Sequence, residues 1–195
     1  MDIDLRQLLL DMVAEADRLH TRLTASGDIY EGYAPRLAEV NERHARRLEA
    51  IFIQVGWPGR SIAGTDGEEA AWRITQHAIS LPDFQYHALM HLRAAVTSGE
   101  ATPAQAAFLE DKIRFLEGRP QRYGTQFDWD ERGELSPWTL EEPDRVDDLR
   151  REVGLEPLSV RMAELRSEEG ADHRPKDLRA RRREFEEWAR SVGWR

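Results

Sequence analysis

Apolar residues recur every three or four positions along most of this 195-residue chain. This spacing places them on one face of an α-helix, and a helix with one apolar face must pack against other elements. Glycine and proline interrupt the pattern and divide the chain into separate helices. The spacing predicts core helices over residues 3–24, 34–55, 68–79, 82–98 and 103–118. We therefore expect a mainly α protein built on a helical bundle of about five core helices.

The pattern changes after Gly118. Residues 123–129 and 134–140 flank the turn-rich tetrad Asp130-Glu131-Arg132-Gly133, whose glycine suits a left-handed turn position. Pro137 cannot donate a ladder hydrogen bond, so the second strand should be an edge strand. The sequence thus predicts one β-hairpin near residues 122–140. Two short helices are expected after it, at about 144–153 and 157–168.

The C-terminal part of the chain is distinct in composition. Residues 169–195 comprise a charged, glycine-containing linker and a helix from about residue 175 to 192 with only a narrow apolar face. An isolated helix of this length is marginal in water, so the face should be docked. We expect a helical domain over residues 1–168 and an appended docking helix in 169–195. The helix could pack on its own domain or on a second copy, which would give a homodimer.

Composition excludes several function classes. The net charge of −9 argues against nucleic-acid binding, which depends on neutralising phosphates. The longest apolar run, Leu8-Leu9-Leu10, is far too short to cross a bilayer, so no membrane association is expected. Acidic Asp2 and Asp4 do not fit a signal peptide, and a cytoplasmic protein is predicted. Because the chain has no cysteine, any metal would need His, Asp and Glu ligands; no cofactor and no metal are predicted.

Three polar residues fall where the helical pattern expects apolar or boundary ones. His44 and His77 lie on the predicted inward faces of two helices, and Asp111 lies at the margin of a third. Any one of them could be a core group bonded to the backbone. Their occurrence on three helices, followed by the glutamine-rich segment 118–127, instead favours a polar site. A histidine near a carboxylate there would form an oriented general base.

His87 and His91 form an i, i+4 pair, a spacing at which two imidazoles on one helix can share a metal. The pattern is incomplete because no glutamate follows the first histidine and no third ligand is evident. We interpret the pair as a polar helix face.

Several short motifs occur in an order that resembles a bacterial family known only as a domain of unknown function. The motifs are Gly56-Trp57-Pro58, Gln76-His77-Ala78, Asp83-Phe84-Gln85, Asp111-Lys112-Ile113 and the segment Gly118-Arg119-Pro120-Gln121-Arg122-Tyr123-Gly124-Thr125-Gln126-Phe127. The resemblance covers roughly residues 35–160, with Lys112 where the family has arginine. It implies a bacterial cytosolic protein and brings no established activity. The polar set it implies is Gln76, His77, Gln85, Asp111, Gln121, Tyr123 and Gln126.

Two functional hypotheses follow. The first is an acid–base enzyme acting on a small polar or amide-containing metabolite, with His77, Asp111 and Tyr123 as the catalytic residues. Its ligand-binding residues would be His44, Gln76, Gln85, Gln121 and Gln126. The alternative is a non-catalytic module that binds a small molecule or a protein partner in the same groove. A third, structural interpretation has the glutamines capping the hairpin and the helix ends.

Overall fold

The computed structural model describes residues 1–26, 34–130, 132–168 and 177–195. The prediction of a mainly α protein with one β-hairpin and a C-terminal helix is confirmed: these residues form eight α-helices and one two-stranded antiparallel sheet. Cα packing divides the chain into two compact units, Met1–Thr102 and Pro103–Arg195. None of the described helices is long and apolar enough to cross a bilayer.

Four helices build the first unit. They are α1 (Ile3–Ser26), α2 (Pro35–Val55), α3 (Arg60–His77) and α4 (Pro82–Thr97). Helix α3 packs against both α1 and α2, and α2 also packs against α1 and α4. Fully buried leucines from three helices, Leu9, Leu48 and Leu92, supply part of the core. The Phe52 ring stacks on Trp57 and Phe84, with centroids 5.6 and 5.9 Å apart.

Helix α3 begins earlier than its sequence pattern predicts. A first turn starts at Arg60, and Gly64 then breaks the helical backbone with φ of 74°. A positive φ is costly for any residue with a Cβ, so glycine permits the kink that joins the short turn to the main helix. The apolar spacing marks only the main helix, which explains the predicted start at residue 68.

The second unit combines helices with the hairpin. It contains α5 (Pro103–Leu116), strands β1 (Phe127–Trp129) and β2 (Leu135–Pro137), α6 (Val146–Glu152), α7 (Leu158–Glu168) and α8 (Leu178–Ser191). Phe127 pairs with Pro137, and Trp129 pairs with Leu135. The strands are shorter than predicted. Before β1 the chain makes only separate backbone hydrogen bonds, such as that from the Trp138 amide to the Gln126 carbonyl at 2.9 Å, and side chains hold much of the rest of the segment.

Helix α8 docks within its own unit. The Phe185 ring lies 5.1 Å from the Phe115 ring of α5, and Trp194 is 6% exposed. The Arg195 guanidinium donates to the carbonyl oxygens of Leu116 and Phe115 at 3.0 and 3.2 Å. The predicted linker, which begins at residue 169, lies outside the described residues, so the division of the chain at residue 168 stays a prediction. The homodimer through this helix also stays a prediction.

Candidate functional site

A cleft of about 200 Å³ lies between α1, α2 and α3 of the first unit. Four apolar side chains and six polar ones line it. The lining residues are Val13, Ala16, Asp17, His20, Leu37, Asn41, His44, Arg73, Ile74 and His77. One histidine comes from each helix, and we call this feature the histidine cleft.

His44 is the buried histidine of this cleft. It is 4% exposed, as its place on the apolar face of α2 predicts. Its Nε2 lies 3.0 Å from Oε2 of Glu15, a residue of α1 whose other carboxylate oxygen accepts from Arg43 at 2.6 Å. Among the described residues, no hydrogen-bond partner contacts Nδ1 of His44. An Nε2–H that donates to Glu15 therefore leaves Nδ1 as an acceptor.

Opposing effects set the ionisation of this pair. Burial lowers the pKa of His44, and its interactions with Glu15 only partly oppose that shift. Hydrogen bonds from His44 and Arg43 lower the pKa of Glu15, whose side chain is about half exposed. The arrangement favours a neutral imidazole held by an ionised carboxylate near neutral pH.

The other two histidines lie at the exposed edge of the cleft. His77 is exposed, so its predicted burial is wrong. It is the last residue of α3, where the chain turns at Ala78 and the inward face of the helix ends. His20 was missed by the sequence reasoning, although it follows Val13 and Ala16 at the helical spacing that brings all three to the cleft. Beside them, Arg73 binds Asp17 at 2.7 Å.

Gln85 stabilises the end of α3. It is fully buried, and its Nε2 donates to the carbonyl oxygens of Thr75 and Ala78 at 2.7 and 3.1 Å. Carbonyls at the end of a helix lack the regular helical partner, and here each has one long backbone hydrogen bond, of 3.4 or 3.3 Å, besides the one from Gln85. Gln76 is partly buried on α3 next to His77. The contacts of Gln85 match the structural interpretation of the glutamines, and a ligand-binding role for either glutamine stays a prediction.

Asp111 binds the backbone of the segment that follows α5 in the second unit. It is fully buried, and its carboxylate accepts from the amides of Arg122 at 2.7 Å, Tyr123 at 3.0 Å and Thr125 at 3.1 Å. The Thr125 hydroxyl adds a fourth donor at 3.0 Å. Burial raises the pKa of Asp111, and the backbone hydrogen bonds oppose that shift.

Gln121 joins the same segment to the hairpin. It is fully buried, and its Nε2 donates to the carbonyl oxygens of Gln126 and Trp138, each at 2.9 Å. Its Oε1 accepts from the Gln126 amide at 2.8 Å. The Gln126 side chain donates to the Thr125 hydroxyl at 3.1 Å. Three of the four hydrogen-bonding positions of its primary amide are therefore used within the chain.

Both the amide and the carbonyl of Tyr123 are hydrogen-bonded to buried side chains. Its amide donates to Asp111, and its carbonyl accepts from Nη1 of Arg150 at 2.8 Å. Arg150 is 2% exposed and was missed by the sequence reasoning. We call Asp111, Gln121 and Arg150 the backbone clasp, because each binds peptide groups between residues 121 and 126. His77 belongs to the first unit, so its predicted cooperation with Asp111 and Tyr123 stays a prediction.

The i, i+4 histidine pair of α4 lies outside the histidine cleft. Nδ1 of His87 is 2.8 Å from Oε1 of Glu49, and the His91 ring stacks on Phe52 with centroids 5.0 Å apart. Within residues 1–26, 34–130, 132–168 and 177–195, no group of three or more His, Asp or Glu residues is placed to hold a metal ion.

No curated protein and no solved structure matches the chain. One protein family does match, over residues 3–172. The matched span extends beyond residues 35–160 at both ends and includes all three histidines of the cleft, while α8 lies beyond it. The chain therefore belongs to the family of unknown function DUF6624.

Proposed function

We propose that the first unit binds a small polar or amide-containing metabolite in the histidine cleft and performs acid–base chemistry on it. One observation carries the proposal: a buried histidine with a carboxylate partner opens on a cleft that two further histidines line. A titrating pair in a concave site is a common mark of a catalytic centre.

His44 is the proposed proton acceptor. Glu15 fixes the tautomer in which Nδ1 carries the lone pair, and burial keeps the ring neutral near neutral pH. A neutral, oriented imidazole can accept a proton from a bound ligand. His77 or His20, at the exposed edge, is proposed to donate a proton to the product; solvent then takes the proton from His44 and reprotonates the donor histidine. Asp111 and Tyr123 are not needed for this scheme, since their described contacts serve the backbone of the second unit.

The lining and the volume of the histidine cleft limit the chemistry and the size of the ligand. Val13, Leu37 and Ile74 offer an apolar surface, whereas the buried Asn41 offers an amide group that can pair with a ligand amide. A volume of about 200 Å³ is below the common range for drug-sized ligands. We therefore propose a metabolite of only a few carbon atoms or a single ring.

The test uses acetamide, glutamine, nicotinamide and their corresponding carboxylates as probes. Histidine-ring NMR signals report binding, and proton NMR of the mixture over hours reports conversion. We expect at least one amide to shift the His44 ring signals. His44→Gln, which can still donate to Glu15, should abolish conversion and leave the circular dichroism spectrum unchanged.

His87→Gln is the matched control, because His87 also pairs with a glutamate but lies outside the cleft. It should bind and convert like the wild type. If a probe binds but is never converted, and His44→Gln changes only its affinity, the non-catalytic binding module is the correct function. If no probe shifts any cleft histidine, the proposal is wrong.

A further inference from the structure

We propose that the second unit contains a separate binding site for a small anionic ligand, one that carries a carboxylate or phosphate on an aromatic body. The site is a cleft of about 260 Å³ that the hairpin and helices α5 to α8 line. We call it the arginine cleft, because Arg150, Arg161 and Arg181 all line it. The proposal does not depend on the function proposed for the first unit.

The buried Arg150 carries the argument. Its Nε donates to the Glu156 carbonyl at 2.5 Å, and its Nη1 donates to the carbonyls of Tyr123 and Gly124. Its Nη2 is 3.7 Å from the Glu156 carboxylate, which is beyond hydrogen-bond distance. In the part of the chain that the structure describes, Nη2 therefore has no hydrogen-bond acceptor.

A guanidinium that is 2% exposed normally has its donors satisfied by the protein or by water. Three of the five N–H groups of Arg150 are used to hold the backbone, which fixes the plane of the guanidinium. The two N–H groups on Nη2 remain, and Arg150 lines the cleft. An anion in the cleft would supply the missing acceptor through a charge-assisted hydrogen bond.

The charge of the lining favours an anion over a cation. Asp128 is the one carboxylate residue among the described residues that line the cleft, and it pairs with Arg181. Arg161 pairs with Glu164 at 3.0 Å, a residue that is half exposed and is not part of the lining. Glu156, whose carboxylate is 3.7 Å from Arg150, is also half exposed and outside the lining. Each arginine thus has a carboxylate partner, but an anionic ligand in the cleft could replace the half-exposed Glu156 and Glu164 beside Arg150 and Arg161.

The remaining lining indicates the rest of the ligand. Phe108, Phe127 and Trp129 contribute aromatic surface beside the arginines. Aromatic walls bury an apolar or aromatic group, and a few placed polar groups then fix its orientation. The Thr125 hydroxyl donates to Asp111 and accepts from the Gln126 side chain, which leaves one lone pair of its oxygen for a ligand hydroxyl.

The experiment compares charged probes with neutral ones of similar shape. Benzoate and phenyl phosphate are titrated against benzamide and phenol, with the Trp129 indole NMR signal and calorimetry as readouts. We expect at least one anionic probe to bind about tenfold or more tightly than its neutral counterpart, because hydrogen bonds to charged groups contribute at least that factor. Inorganic phosphate should bind more weakly than phenyl phosphate, because it leaves the aromatic walls uncovered.

Arg161→Gln is the main variant, since its ion pair is at the surface and its loss should not affect folding. It should weaken binding of the anionic probe about tenfold. Arg151→Gln is the control, because Arg151 is exposed on α6 and binds only Asp148 among the described residues. Arg150→Lys should also weaken binding, and its melting curve shows whether the unit remains folded.

Three results would overturn the proposal. The first is equal affinity for benzoate and benzamide together with equal affinity for phenyl phosphate and phenol. The second is unchanged binding of the anionic probe to Arg161→Gln. The third is probe-induced shifts that leave the Trp129 signal in place. If inorganic phosphate binds as tightly as phenyl phosphate, the aromatic part of the proposal is wrong.

Discussion

Removing the Asp111 carboxylate should destabilise the second unit strongly. Asp111→Ala deletes the acceptor of three backbone amides and one hydroxyl, all at 2.7–3.1 Å. At about 1 kcal/mol for each hydrogen bond, the loss is about 4 kcal/mol. The amide and hydroxyl of Thr125 are buried, so in the variant they bear the full free-energy cost of a donor without an acceptor. The amides of Arg122 and Tyr123 belong to partly exposed residues and can bind water instead. We expect a total of about 3–5 kcal/mol.

Asp111→Asn tests the same idea with almost no change in volume. One oxygen can still accept, but the new NH₂ group faces amide donors that it cannot bind. We expect about 2–3 kcal/mol of destabilisation. Because burial raises the pKa of Asp111, relief of the desolvation cost offsets part of the loss in this variant.

Urea unfolding followed by tryptophan fluorescence measures these changes at pH 7. For a chain of this size, 4 kcal/mol corresponds to a fall of about 8–16 °C in the melting temperature. Hydrogen exchange should also lose protection at the amides of residues 122, 123 and 125 before it changes elsewhere. Asp148→Ala, an exposed residue of α6, is the control and should stay within about 0.5 kcal/mol of the wild type. If Asp111→Ala is as stable as this control, the hydrogen bonds of Asp111 do not stabilise the unit, and the hypothesis of a catalytic Asp111 is favoured instead.

Three further outcomes are expected. As pH falls from 7 to 5, the free energy of unfolding should fall, because burial lowers the pKa of His44 below 6.5 and the unfolded chain binds the proton first. In urea titrations, His44→Gln should reduce this pH dependence. If the free energy of unfolding of His44→Gln depends on pH as strongly as that of the wild type, His44 is not its source. Trp194→Ala should cost about 3 kcal/mol because the ring is buried, and a melting temperature equal to that of the wild type would show that α8 does not dock. His87→Ala combined with His91→Ala should leave the metal content of the purified protein unchanged by elemental analysis, whereas loss of a stoichiometric metal would show that the pair is a ligand site.

The positions of the helices along the chain could be predicted because helix formation depends on the spacing and type of residues close together in the sequence. The spacing of Leu48 and its neighbours predicts α2, and Pro103 marks the start of α5 as the structure has it. The hairpin was also predictable, since Gly133 lies in its turn with φ of 74°. The lengths of the strands were not, because Asp111 and Gln121 hold the preceding segment through contacts that strand propensity does not encode.

Sites depend on contacts between distant positions, and one sequence does not give those contacts. His44 could be placed on an inward face, but its partner Glu15 lies 29 residues away on another helix. His77 fits the same periodicity, yet the end of α3 leaves it exposed. The burial of Arg150 could not be predicted from the spacing of apolar residues, because an arginine is ordinarily assigned to the exposed face of a helix. Its burial follows from the peptide carbonyls that it binds, 26 and 27 residues earlier in the chain.

The backbone clasp and the histidine cleft hold their buried polar groups in different ways. In the second unit, Asp111 and Gln121 are bound to peptide groups within the chain, so the glutamine-rich segment 118–127 stabilises its own turn. In the first unit, His44 keeps one ring nitrogen for Glu15, and the residue lines a cleft. A polar group already committed to the backbone cannot readily exchange protons with a ligand, because the exchange would break the fold that it maintains. Substitutions of Asp111 and Gln121 should therefore change stability first, whereas substitutions in the histidine cleft should change binding or conversion with the fold intact.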